Sequence, residues 1–219
     1  IKKRKIEPVV IHMPYILNLA ENDKKIKDII INFLNMELEE SLKIGADFYV
    51  LHPGFHKGLG EKKGLDNVID ILKNFKDLKI KILIENTSGQ KTSLGHNFSH
   101  LKYLIENLKE NFGICFDTAH AFQSGYNLKK IKRDIEKVMD LSYIKLIHAN
   151  DSKTKLGSRI DRHEHIGKGY IGITGFENLI KDDYFGNLPF IIETPKESLI
   201  EDKKNIEILK KIGEKYGKI

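Results

Sequence analysis

The chain has 219 residues, 40% hydrophobic and 31% charged, with a formal net charge of +6 and one cysteine. This composition excludes a disordered or collagen-like chain, and the length suits a fold that buries roughly 70% of its unfolded surface. A single Cys115 excludes an internal disulfide and a cysteine-rich zinc module, and no apolar run approaches the roughly 20 residues that span a bilayer.

The basic start Ile1–Lys5 mimics the first part of a secretory signal, but Pro8, His12, Pro14 and Asn18 interrupt the apolar stretch after it. No cleaved signal is expected, and a reduced, cytoplasmic setting is. A first strand is expected over Pro8–Ile11. A helix comes next, with Ile26, Ile30, Phe33, Leu34, Leu38 and Leu42 on one stripe and Gly45 placed to cap its end. Then come a strand over Asp47–Leu51, a helical stripe of Leu65, Val68, Ile69, Leu72 and Phe75, and a strand over Ile80–Ile84. Leu101, Leu104, Ile105 and Leu108 mark another helix before a strand at Gly113–Phe116. Leu128, Ile131, Ile135 and Val138 mark a fourth, before strands at Tyr143–Ile147 and Pro189–Ile192 and a last stripe of Ile206, Leu209 and Ile212. All these stripes read as core packing.

The strands are nearly continuous in hydrophobicity, as expected when both faces of a parallel sheet are covered. They recur at about 30–45 residues, the scale of βα units. No linker or low-complexity tract divides the chain, so residues 1–219 read as one α/β domain with right-handed crossovers. A (β/α) barrel and an open doubly wound sheet both fit at this point. The positive charge hints at a polyanionic partner, although lysines such as Lys24, Lys25, Lys27, Lys210 and Lys211 account for it as solvated helix faces.

The residues leaving the six strands are His12, His52, Glu85, Asp117, His148 and Glu193. Each can bind a metal, and in a parallel α/β fold these strand ends share one face. One such residue is ordinarily a satisfied polar group, but six would require six separate buried coincidences. His120 follows Asp117 by three residues, and Asp161 and His163 point to the same side of an extended loop. Imidazole and carboxylate without thiolate suit zinc or another borderline to hard divalent ion such as manganese. Nine ligands exceed one tetrahedral site, so two or three metals are implied, an arrangement suited to hydrolysing phosphate esters. Glu85 is the natural bridging carboxylate. His56, His96, His100 and His165 are assigned to surface roles, His165 ambiguously.

These residues resemble the zinc-dependent endonuclease IV family of apurinic/apyrimidinic (AP) repair nucleases. The matching segments are His12–Leu19, His52-Pro-Gly54, Glu85–Gln90 with Leu94-Gly95, Cys115–Phe122 with Gly125-Tyr126, His148–Ser152, Gly157–His163, His165–Gly169 with Ile171-Gly172, and Glu193-Thr-Pro195. The resemblance implies a TIM-type (β/α) barrel, of which this chain, starting at the third strand, presents six of eight βα units. It implies three Zn2+ ions, with Mn2+ an option at one or more sites. His12, His52 and Glu85 would hold one ion; Glu85 would bridge to a second held by Asp117, His148 and Glu193; His120, Asp161 and His163 would hold the third. The implied reaction is cleavage of double-stranded DNA 5′ to an abasic site, with Glu193 helping to activate water beside the bridging Glu85. Tyr15, Ser88, Gly89, Gln90, Ser152, Arg159, Arg162 and Lys168 would contact DNA, the cations mainly through phosphates. Arg162 has an alternative part, supporting the neighbouring ligands. Met13-Pro14 departs from the more polar pair often found in the family.

Two other readings compete. A xylose-isomerase-like sugar isomerase or epimerase needs a single metal, which Glu85, Asp117, His148 and Glu193 could serve, but it has no use for His120, Asp161 and His163. A truncated, inactive chain would expose two unpaired sheet edges unless a partner or a longer gene product covers them.

Overall fold

The structure, a computed structural model, describes residues 7–75, 77–196 and 198–218. The basic Ile1–Lys5 run lies outside the described residues. In chain order the elements are β1 (Val10–His12), α1 (Lys24–Lys43), β2 (Phe48–Leu51), α2 (Glu61–Leu72), β3 (Lys81–Glu85), α3 (Phe98–Leu108), β4 (Phe112–Asp117), α4 (Thr118–Gln123), α5 (Ile131–Glu136), β5 (Ile144–His148), β6 (Asp151–Ser152), β7 (His163–Glu164), α6 (Gly172–Ile180), β8 (Phe190–Ile191) and α7 (Leu199–Lys215). Six strands form one parallel sheet in the order β1-β2-β3-β4-β5-β8, and β6 and β7 form a separate antiparallel pair. This is the six-stranded part of a TIM barrel, as expected. Among the described residues β1 and β8 do not pair with each other. Beyond β8 the sheet opens into an apolar cleft of about 610 Å³ lined by Phe190, Ile192, Ile206 and Leu209, which holds none of the ligand candidates.

Alternation along the strands explains how the sheet presents its chemistry. Tyr49, Ile82, Ile84, Ile114, Phe116, Ile144 and Ile147 belong to the large core under the helices. Val50, Leu83, Cys115 and Leu146 form a small separate cluster, with Val10 and Ile191 against it, on the opposite face. Successive side chains on a strand point to opposite faces, so a residue two positions on shares a face with its predecessor. Two positions beyond Val10, Val50, Leu83, Cys115, Leu146 and Ile191 stand His12, His52, Glu85, Asp117, His148 and Glu193. Parallel register puts Glu85 beside Cys115 and Asp117 beside His148. The six residues therefore form a polar layer on top of the inner apolar one.

Caps set the helix starts. The Asp23 side chain accepts from Lys25 N and Ile26 N, Asn97 accepts from His100 N, and Ser198 with Glu201 forms a reciprocal capping box. The stripes bury Ile30, Leu34 and Leu38 on α1, but Ile26 is 45% exposed and Ile206 is 42% exposed, which corrects their assignment to the core. Both lie within the first two turns or so of helices that flank the open ends of the sheet. The stripe at Leu128–Val138 divides into a 3-10 turn and the short α5. The sequence reading does not mark α4, α6 or the β6–β7 pair, whose elements are short.

Candidate metal centre

Glu85 sits at the centre, fully buried at the end of β3. Its Oε2 lies 3.0 Å from both His12 Nε2 and His52 Nε2, while Oε1 lies 3.1 Å from His148 Nδ1. Its two oxygens thus face two different sets of imidazoles. Burial alone would raise the Glu85 pKa, but His148, His52, His12 and His120 outweigh it and hold the carboxyl well below the ordinary value. Behind it runs Gly95, at φ +83°, where an added Cβ would stand 2.9 Å from Pro53 Cγ and 3.3 Å from the Glu85 carbonyl oxygen. Only glycine lets that loop pass so close.

Asp117 ends β4 and also caps α4, its Oδ1 accepting from His120 N at 2.6 Å. The three-residue spacing of Asp117 and His120 is thus the spacing of a helix cap and its third residue. His120 Nδ1 donates to Asn86 O at 2.9 Å, which turns Nε2 toward Asp161 Oδ1 at 3.3 Å. Asp161 is drawn down to about 2; burial raises it, and His120, His163 and His52 outweigh burial. His163 Nδ1 is fixed by Glu193 O at 3.1 Å, leaving Nε2 buried without a partner, 3.8 Å from Asp161 Oδ1 and 3.9 Å from Asp117 Oδ2. His148 Nδ1 stands 3.1 Å from Glu193 Oε2, and the Glu193 side chain is 36% exposed at the mouth.

The nine expected ligands are all brought together, and the donor set fits divalent metals. His12, His52 and Glu85 form one group; Glu85, Asp117, His148 and Glu193 another; Asp117, His120 and His163 a third, with Asp161 beside it. His12, His120 and His163 each turn Nε2 inward while Nδ1 faces a backbone carbonyl, the support that metal-bound imidazoles ordinarily have. A buried Nε2 without a partner, as in His163, is costly unless something binds it. Cys115 lies within reach of Glu85 and His148, but burial pushes its thiol up to about 12, so it stays protonated and packs as an apolar residue.

Five residues that support the ligands carry no assignment in the sequence reading. Asn86 exchanges bonds with the Asp117 backbone, accepting from its N–H and donating to its carbonyl at 2.7 and 2.9 Å. Asn150 donates to Asp117 Oδ2 at 2.5 Å and accepts from Glu193 N at 2.7 Å. Thr118 Oγ1 donates to Asn150 O at 2.6 Å, and Gln123 donates to Arg162 O at 2.8 Å. Asp151 accepts from the backbone N–H groups of Ser152, Gly167, Ile171 and Gly172, anchoring the segment after His163. The available signal was a polar residue beside a ligand at a buried strand end, as at Asn86 and Asn150.

The expected DNA-contacting residues divide. The pocket, about 470 Å³, is lined by Tyr15, Gln90 and Arg162 together with ligands. The Tyr15 ring stands edge-on to His52 with centroids 4.7 Å apart, and its hydroxyl donates to Asp161 Oδ2 at 3.3 Å. Gln90 Oε1 accepts from Asp161 N, and a Cβ at Gly89 would lie 3.5 Å from Arg159 Cγ, so the segment with Gly89 and Gln90 runs against the one with Arg159 and Asp161. Arg162 donates to Asp161 O at 2.8 Å, which gives it the supporting part as well. Ser88 and Ser152 are 2% and 0% exposed, so neither presents its side chain at the surface as expected; Ser152 Oγ is used by Gln123 and Thr154. Lys168 lies in a separate groove with Lys204 and Lys211. Among the histidines assigned to the surface, His100 is buried against Glu61, which corrects that assignment; His56, His96 and His165 are half-buried.

Residues 1–212 match the family described as the xylose isomerase-like TIM barrel. A protein of Aquifex aeolicus named probable endonuclease 4 is 44% identical over 216 residues, covering 94% of this chain and 76% of that protein. One of the same name from Persephonella marina is 40% identical, covering 97% and 79%. The crystal structure of endonuclease IV from Thermus thermophilus superposes with a TM-score of 0.82 at 27% identity, covering 95% of this chain and 76% of that one. A D-tagatose 3-epimerase-like protein superposes at 0.77 with 25% identity, covering 99% and 80%. The identities and the extent of the match show that this chain belongs to the endonuclease 4 family of xylose isomerase-like TIM barrels.

Proposed function

We propose that this protein is an AP endonuclease that hydrolyses the phosphodiester 5′ to an abasic site in double-stranded DNA, leaving a 3′-hydroxyl, with three Zn2+ ions per chain and Mn2+ accepted at one or more positions. The observation that carries this reading is the group formed by His120, Asp161 and His163 beside the Glu85, Asp117, His148 and Glu193 quartet. A one-metal sugar isomerase accounts for the quartet and leaves the other group without work. When bound, divalent ions supply Lewis-acid stabilisation of phosphate oxygens and lower the pKa of water.

His12, His52 and Glu85 would hold one ion; Glu85, Asp117, His148 and Glu193 the second; His120, Asp161 and His163 the third. Glu85 joins the first two groups through its two oxygens. Glu193, open to the pocket, would orient the attacking water by accepting a hydrogen bond from it. Burial raises its pKa, but the His148 contact outweighs burial and holds it below the ordinary value, which favours the carboxylate that accepts a hydrogen bond. Tyr15, at the mouth, would meet the DNA beside the lesion. Arg159 and Arg162 would hold phosphates, with Gly89 and Gln90 shaping the rim. Ser152 would support the rim through its bonds to Gln123 and Thr154, and Lys168 would act at the periphery. A cavity of about 470 Å³ suits one extruded abasic nucleotide rather than a stacked duplex. A cytoplasmic setting agrees with the single free cysteine, and no helix among the described residues is long and apolar enough to cross a membrane.

The test is incision of a duplex oligonucleotide containing one abasic site, with and without chelator, beside His163→Ala. Metal-dependent cleavage that falls sharply in the variant is expected. Intact substrate with folded, zinc-loaded protein would refute the reading, and one metal per chain by elemental analysis would favour the isomerase.

A further inference from the structure

We propose that Glu61, His96 and His100 form a further divalent-metal site, outside the pocket, that staples the loop carrying Gln90 to the start of α2. The three offer a carboxylate oxygen and two imidazole nitrogens within 4.8 Å of one another. His100 Nε2 is 3.1 Å from Glu61 Oε2, and His96 Nε2 is 3.8 Å from Glu61 Oε1. The two rings meet edge to face with centroids 4.9 Å apart. Donors on a tetrahedral zinc stand roughly 3.3–3.6 Å from each other, so small side-chain shifts seat an ion. None of the three lines the pocket of the nine ligands, and the proposal does not rest on the nuclease reading.

The His96 ring and the His100 backbone are held in place before any ion arrives. His96 Nδ1 donates to Ser93 O at 2.9 Å, which leaves the Nε2 lone pair facing Glu61. His100 lies in the first turn of α3, where Asn97 Oδ1 holds its backbone N–H at 2.8 Å. Glu61, the first residue of α2, is half-exposed and able to turn toward an ion. Burial holds the His100 ring below its ordinary pKa against the opposing pull of Glu61, so the ring is neutral at pH 7, the form that ligation needs. In the metal-free protein His100 Nδ1 accepts a long 3.3 Å bond from Gly95 N–H, which places its proton on Nε2. Loading moves that proton to Nδ1 and opens the Gly95 bond, with no proton lost from the ring.

Two nitrogens, one carboxylate oxygen and an open position for water select a borderline divalent ion, zinc foremost and cobalt as its spectroscopic substitute. Three ligands and a tautomer shift make the site weaker than one completed by four protein ligands. Its consequence is mechanical. The residues between Glu85 and His100 include Gln90 of the pocket, and His56 N already ties the neighbouring loop to Thr92 O at 3.0 Å. An ion at Glu61, His96 and His100 would fasten this assembly to α2.

The experiment compares the full chain with His96→Gln and Glu61→Gln after equilibrium dialysis against micromolar zinc, with folding checked by circular dichroism. One zinc per chain fewer in each variant is expected. Cobalt titration should give a wild-type-minus-variant difference spectrum with d–d bands, and zinc should slow amide exchange over residues 86–97 more in the wild type than in either variant. Equal zinc content and superimposable cobalt spectra in three folded proteins would overturn the proposal. A loss of zinc confined to one of the two variants would also overturn the three-ligand site.

Discussion

Replacing Asn150 by alanine removes a side chain that touches two ligands at once. Its Nδ2 donates to Asp117 Oδ2 at 2.5 Å and its Oδ1 accepts from Glu193 N at 2.7 Å, while its backbone N–H stays bonded to Thr118 Oγ1 at 2.9 Å. The chain path should therefore survive and only the two side-chain bonds be lost. A buried hydrogen bond to a charged carboxylate contributes about 1.5–3 kcal/mol, and a neutral one about 1 kcal/mol. Groups that orient metal ligands typically matter by about 10–100-fold in metal affinity or activity, or about 1.4–2.8 kcal/mol. We expect Asn150→Ala to lower kcat/KM on an abasic-site duplex by that factor at saturating zinc, with weaker retention of metal on dialysis. Asn150→Asp should do worse, because it places a second carboxylate against Asp117. The assay is steady-state incision paired with elemental analysis. Asn150→Ala with activity within about twofold of wild type and a full metal complement would refute the reasoning.

Asp151→Ala should free the backbone N–H groups of Gly167, Ile171 and Gly172, so hydrogen exchange over residues 161–172 should accelerate; unchanged protection there would contradict the anchoring role. His120 is held well above its ordinary pKa in the metal-free protein, since burial lowers it but Asp117, Asp161 and Glu85 outweigh burial. An ion at its Nε2 takes the place of a proton there, so the upward shift predicts proton release on loading, with apparent affinity rising with pH and falling as pH is lowered. Calorimetry in two buffers of different ionisation enthalpy should show that release, and buffer-independent heats would count against it. Leu146→Ala, in the inner apolar layer below the ligands, should cost about 2–5 kcal/mol in urea unfolding. Ile26→Ala, at an exposed position, should stay within about 0.5 kcal/mol of wild type, and a comparable loss at both would contradict the assigned layers.

Six of the nine candidate ligands and the succession of βα units were legible in the chain because both depend on short-range pattern. A strand alternates with period two, so Leu83 facing inward requires Glu85 to face inward, and six such pairs place six ligands before any contact is known. The Asp117–His120 spacing is equally local, being a helix cap. Other features had no local signature. The β6–β7 pair has two-residue strands, too short for periodicity, and exists because residues 151–152 and 163–164 meet in space. Tertiary packing buries Ser88 and Ser152, both expected to contact DNA, and brings His96 and His100 to Glu61 from over thirty residues away. Only the assembled sheet decides that Glu85 turns one oxygen to His12 and His52 and the other to His148. The sequence by itself determined which six groups leave the strands toward the site, because strand periodicity is set by neighbouring residues. The tertiary structure alone decided which atoms face one another and what supports them, because those distances depend on register between strands far apart in the chain.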